Sequence, residues 1–206
     1  MKRPHLFLAA ALVALPLSAS FISQALADNQ RVFVRGSVTG LNGQTLSVKT
    51  REGPSVDVTL ADGWVVSGLQ RASMADIKPG DFLGIASLPR EAGGDGALEV
   101  LIFPASMKGT GEGSYAWDLK PNSTMTNATV ANVVKSVNEH SVTLTWQGKE
   151  KTIAVPEGAP IVTFAPATPD DLKPGAVVFV PGEKNDSGAI ATKRVIVGTN
   201  GVVPPM

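Results

Sequence analysis

The sequence predicts an all-β protein made of two small OB-like β-barrel units in tandem. Three observations lead there: period-two alternation of apolar and polar residues, closely spaced turn signals, and an internal duplication. Alternation is clearest in Val56-Asp57-Val58-Thr59-Leu60 and Val142-Thr143-Leu144-Thr145-Trp146. A half-buried strand requires it, because successive side chains point to opposite faces. Turn residues cluster at Leu41-Asn42-Gly43-Gln44, Arg51-Glu52-Gly53-Pro54, Gly93-Gly94-Asp95-Gly96, Gln147-Gly148-Lys149 and Asn185-Asp186-Ser187-Gly188. The strands between them are short, as small barrels need, and helical periodicity is almost missing.

The duplication has a fixed offset. Asp76-Ile77-Lys78-Pro79-Gly80 recurs 95 residues later as Asp171-Leu172-Lys173-Pro174-Gly175. The same offset pairs Val38 with Val133, Val58 with Ile153, Leu60 with Val155, Gly63 with Gly158, Val100 with Val195 and Ile102 with Val197. One inserted residue matches Asn42 to Asn138. Core and turn positions recurring together indicate two copies of one supersecondary plan. The first unit is expected over 28–104, the second over 127–199, with a glycine-rich and aromatic connector over 105–126 joining them. The apolar ending Val202-Val203-Pro204-Pro205-Met206 leads us to expect residues 200–206 to dock on the barrels as an extended tail.

The repeated acid of each copy reads as a cap. Ser73-Met74-Ala75-Asp76 and Thr168-Pro169-Asp170-Asp171 both have the hydroxyl-x-x-acid spacing of a capping box, in which two side chains satisfy the free amides of a first helical turn. Lys-Pro-Gly then suits a type II turn: Pro79 and Pro174 set the second position, and Gly80 and Gly175 supply positive φ at the third.

Residues 1–27 read as a cleaved signal peptide. Lys2 and Arg3 precede an apolar run from Leu6 to Leu17, and Ala25-Leu26-Ala27 fits the small-x-small cleavage pattern. No later stretch is long and apolar enough for a transmembrane helix, so a periplasmic location is expected. Cleavage leaves 179 residues and removes two of the 18 basic residues and none of the 18 acidic ones, giving a net charge of −2. That balance argues against nucleic acid as a partner. The chain has no cysteine, so the exported fold must rest on apolar burial without disulfides.

Catalysis finds little support. His140 is the single histidine after residue 27, and no Gly-x-Ser-x-Gly elbow presents a serine, so we expect a non-catalytic module that binds an envelope protein or glycan and carries no cofactor. The connector is the expected ligand surface. It places the only tyrosine, Tyr115, and Trp117 beside Gly109, Gly111 and Gly113. Within it Glu112, Tyr115, Trp117 and Asp118 are the candidate binding residues, with Lys108 as a charge partner. Aromatic rings stack on sugars or prolines, and charged neighbours orient what is stacked. The three glycines lack the Gly-Lys-Ser/Thr of a phosphate loop. A zinc site of ordinary composition cannot be assembled from one histidine and no cysteine. The alternative is a metal-handling accessory using the thioethers of Met107 and Met125.

Gly109-Thr110-Gly111-Glu112-Gly113, Trp117-Asp118-Leu119, Ser123-Thr124-Met125-Thr126-Asn127-Ala128-Thr129-Val130 and Gly201-Val202-Val203-Pro204-Pro205-Met206 together resemble a family of secreted bacterial proteins carrying a domain of unknown function. The resemblance spans the chain after residue 27. Some members bear the label of a metal-transport permease, which is the source of the metal-handling alternative. Where that family often has His-Arg-Pro, this chain has Ser114-Tyr115-Ala116, so no connector histidine is available as a ligand.

Overall fold

The computed structural model describes residues 30–135 and 140–205. The expected signal peptide, Asn138 and Met206 lie outside the described residues. Twelve strands make up the rest: β1 (Gln30–Asn42), β2 (Thr45–Thr50), β3 (Ser55–Arg71), β4 (Phe82–Pro89), β5 (Asp95–Phe103), β6 (Gly113–Ala116), β7 (Thr124–Lys135), β8 (His140–Trp146), β9 (Lys149–Ala154), β10 (Ile161–Ala165), β11 (Val177–Lys184) and β12 (Ile190–Gly198). Among the described residues the only helical pieces are 3₁₀ turns of three residues, Met74–Asp76, Ala105–Met107 and Pro169–Asp171. The protein is all-β.

Five strands close into a barrel in the order β1-β2-β3-β12-β11, with β11 returning to β1. All neighbours are antiparallel except β3 and β12, which run parallel through Arg194–Val65 to Gly198–Leu69. The remaining strands repeat this cyclic order as β7-β8-β9-β5-β4, where β9 meets β5 in a short parallel contact at Asp95–Ile153 and Gly96–Ala154. β10 links the two sets, antiparallel to β3 and parallel to β5. β6 forms a hairpin with the start of β7.

These pairings correct the expected boundaries. Residues 28–104 and 127–199 mark the repeat but not the barrels, because each barrel takes three strands from one copy and two from the other. The cores are composite accordingly. Val38, Leu46, Val48, Val58 and Leu60 pack with Leu172, Val178, Val180, Val195 and Val197. Val130, Val142, Leu144, Ile153 and Val155 pack with Ile77, Leu83, Ile85 and Val100. The physical reason is that alternation fixes which face of a strand is buried, not which of two like partners covers it. Val178 and Val180 present the same kind of surface as Leu83 and Ile85, their counterparts at the 95-residue offset.

The exchange is symmetric. Leu69 of β3 lies directly opposite Phe164 of β10, and these two residues are themselves 95 apart, so a pseudo-two-fold axis passes through that pair. Both crossings between barrels carry the capped Lys-Pro-Gly element. The Ser73 amide donates to Asp76 Oδ2 at 2.8 Å and the Ala75 amide to Ser73 Oγ at 3.2 Å, while the Thr168 amide donates to Asp171 Oδ2 at 2.8 Å. The Ser73 hydroxyl, and then its amide, hold the Asp76 carboxyl below the usual range. Gly80 and Gly175 have φ of 92° and 89°, open only to glycine without strain. Each turn is clamped to the first strand of the other copy, through Gly80 N to Val130 O and Gly175 N to Val38 O, both 2.8 Å.

Composite cores predict mutual dependence. Residues 28–104 and 105–206, expressed separately, should each lack a dispersed amide spectrum and a cooperative unfolding transition, and mixing them should restore both. A cooperatively folded 28–104 fragment would show that each copy can close its own core.

Candidate functional site

A third apolar cluster fills the seam between the barrels. Leu69, Leu101, Val162, Phe179, Ile196 and Val202 are buried there, with Phe33, Phe103, Trp117 and Phe164 packed against them. Burying aromatic rings accounts for much of such a cluster's hold. The connector and the tail, which follow β5 and β12, both end in this seam: Trp117 comes from one and Val202 from the other. Val202 and Pro204 of the tail are buried, and the Arg51 guanidinium donates to the Pro204 carbonyl at 2.9 Å.

Local geometry explains how the connector reaches the seam. Gly109, Gly111 and Gly113 have φ of 87°, 59° and 143°, so the chain makes turns that side chains would strain. Beyond β6, the Trp117 amide donates to the Ser123 carbonyl at 2.9 Å, and the buried Ser123 hydroxyl serves the Trp117 and Lys120 carbonyls. This closed turn presents Asp118 to Arg35 of β1. The pair is bidentate, with Arg35 Nη1 to Asp118 Oδ2 at 3.0 Å and Nη2 to Oδ1 at 2.6 Å. Arg35 is 8 % exposed, and its guanidinium carbon lies 5.6, 5.9 and 5.2 Å from the ring centroids of Phe33, Trp117 and Phe179. A cation within about 6 Å of a ring is attracted by its quadrupole, so the rings help to hold the charge out of water.

Above this tie lies a cleft of about 650 Å³, walled by Phe33 and Phe179 from the barrel and by Tyr115 and Trp117 from the connector. Phe33 and Trp117 are 4.6 Å apart, Phe33 and Phe179 5.6 Å, and Tyr115 and Trp117 6.3 Å between centroids. Arg31, Glu183 and Lys193 also line it. Asn127 donates through Nδ2 to the Tyr115 hydroxyl at 3.0 Å and the Thr110 carbonyl at 3.3 Å. Burial raises the Tyr115 pKa, opposed by Arg31. Two buried polar atoms of lining residues, Trp117 Nε1 and Asn127 Oδ1, have no hydrogen-bond partner.

The structure thus brings Tyr115 and Trp117 to one cleft and sets Asp118 beneath it, bound to Arg35. Lys108 does not line the cleft, and its ammonium donates to the Gly80 carbonyl at 3.0 Å. Glu112 is exposed and does not line the cleft. The thioethers differ in setting, Met107 with its sulfur 4.0 Å from the Arg194 guanidinium and Met125 buried in β7. A guanidinium beside Met107 disfavours a second cation there. Among the described residues no group of three His, Cys, Asp or Glu could hold a metal ion.

Phe33, Arg35 and Phe179 escaped sequence reasoning because each reads as an ordinary strand residue. So did Glu99, although an acid inside Ala97-Leu98-Glu99-Val100-Leu101-Ile102 is a visible break in an apolar run. Glu99 is 2 % exposed, and neither carboxyl oxygen has a hydrogen-bond partner. Burial pushes its pKa from 4.5 up to about 8, against the pull of Arg35 and Arg51 and with a further push from Asp118. Comparison with family models, with curated proteins and with solved structures finds no match to this chain.

The raised pKa has a definite sign. Between pH 4.5 and about 8 the folded protein keeps a proton on Glu99 that the unfolded chain releases, so this group's contribution to stability falls as pH rises, by at most roughly 1.4 kcal/mol per unit. Glu99→Gln should abolish that slope and gain on the parent protein at pH 8.5 relative to pH 5, measured by urea unfolding. An unchanged slope in the variant would place its origin elsewhere.

Proposed function

We propose that the protein is an exported, non-catalytic binding module of the bacterial envelope, and that its ligand face is the cleft between Phe33, Phe179, Tyr115 and Trp117. The observation that carries this reading is the union of four aromatic walls with a buried, unpartnered donor, Trp117 Nε1, on one of those walls. Buried polar groups in folded proteins are ordinarily satisfied. A ligand that meets Trp117 Nε1 removes a penalty of about 1–3 kcal/mol.

A glycan fits this chemistry best. A pyranose offers a C–H face to stack on the rings and hydroxyl oxygens that can accept from the Trp117 Nε1 donor. A proline-bearing protein segment would stack as well but carries no hydroxyl on the stacking ring. We read each five-strand ring as OB-like, supported by the cyclic order β1-β2-β3-β12-β11 and its counterpart β7-β8-β9-β5-β4. The cleft then lies mainly against β1, β11 and β12, with Ala61 of β3 also lining it. Among the described residues no helix is long and apolar enough to cross a membrane, and periplasmic export is inferred from the N-terminal sequence.

Binding to an array of envelope saccharides tests the reading. The best glycan should lose about tenfold in affinity with Trp117→Phe, which keeps the stacking but removes the Nε1 donor, and more with Trp117→Ala, which removes both. Wild-type affinity in Trp117→Ala would move the ligand face elsewhere.

A further inference from the structure

The connector borders a second cavity, contributing Leu119 and Lys120 to it, and this one has a different chemistry. It encloses about 580 Å³, and the C-terminal tail forms part of its wall through Val202, Val203 and Pro205. Its apolar surface continues through Leu98, Ile161 and Val162. Three cationic side chains line it, Arg51, Arg71 and Lys120, against a single carboxyl group, that of Glu99. Arg71 and Lys120 form no ion pair among the described residues. Glu99 is nine-tenths and more buried and leaves both oxygens without a partner.

We propose that this cavity is a binding site for a small amphiphilic carboxylate, with its head held between Glu99 and the Arg51, Arg71 and Lys120 cations and its aliphatic body along Leu98, Val162 and Val202. The argument runs through charge and hydrogen bonding together. A cationic ligand would meet three positive side chains, and a neutral one would leave them without a counter-ion, whereas an anion is attracted by all three. A carboxylate accepts a hydrogen bond from a neutral Glu99 carboxyl while arginine grips its other oxygen, the planar geometry guanidinium groups favour. The unpartnered acid thereby gains in the bound state what the empty cavity denies it. A mostly apolar wall with convergent polar groups is the ordinary make-up of a small-molecule site.

Calorimetric and NMR titrations of the full mature chain with octanoate, 1-octanol and octylammonium, three probes sharing one aliphatic body, decide the matter. Octanoate should bind saturably with one site and about tenfold more tightly than octanol, and octylammonium should bind more weakly than either. Arg51→Gln and Glu99→Leu should each weaken octanoate by about tenfold, while Glu99→Gln, which keeps a neutral donor, should stay within about threefold of the parent protein. Tyr115→Ala, at a wall of the aromatic cleft outside the seam cluster, should leave octanoate affinity unchanged, which separates this cavity from that cleft. Absence of saturable octanoate binding in well-folded protein, equal or tighter binding of octylammonium, or undiminished binding by Glu99→Leu would each overturn the proposal.

Discussion

The parallel pairing of β3 with β12 is the constraint on which the rest of the structure depends. It closes the first barrel with a strand drawn from the far end of the chain, and once β11 and β12 are committed there, β7 to β9 can complete their own ring only with β4 and β5. The β3–β10 pair on the pseudo-dyad then brings the two rings side by side. Neither barrel is large enough to bury much surface alone. The aromatic seam between them is therefore part of the core as much as the two barrel interiors are.

Symmetry at the seam is broken at the residues that line its cavities. The counterpart of Phe179 at the 95-residue offset is Gly84, and the counterpart of Glu99 is Arg194. On one side of the axis the connector lays Trp117 and Asp118 over β1, pinned by the Arg35 ion pair. On the other side residues 199–205 follow β12 and place Val202 in the seam. Duplication supplied two equivalent frames, and the unequal segments after β5 and β12 turned them into two unlike cavities. The Arg35–Asp118 tie lies where these cavities share the connector, so the same bidentate pair holds one wall of each.

Local features of this fold were legible in the sequence and long-range ones were not. Val56 to Leu60 and Val142 to Trp146 alternate as strands and are strands; the two Lys-Pro-Gly turns adopt positive φ at Gly80 and Gly175. These are short-range properties of a few residues. Which copy of β4 and β5 completes which ring is decided by packing between nearly interchangeable apolar faces, and alternation contains no record of it. The site divides in the same way. Tyr115 and Trp117 stood out because aromatics are unusual beside three glycines, whereas Phe33, Arg35 and Phe179 acquire meaning only when β1 and β11 become neighbours. Lys108 and Asp118 were both noticed, but charge alone could not tell that one would find a carbonyl and the other a guanidinium.

The interleaved rings also govern how the chain can be made. β3 is complete at Arg71, yet the strands that close its barrel begin at Val177, about a hundred residues later. At translation rates of about 5–20 residues per second, the first three strands wait on the order of 5–20 s before a partner exists. During that interval β1 and β3 present unpaired edges and an open apolar face. The edges and the apolar face of the first three strands are covered only when β11 and β12 are in place.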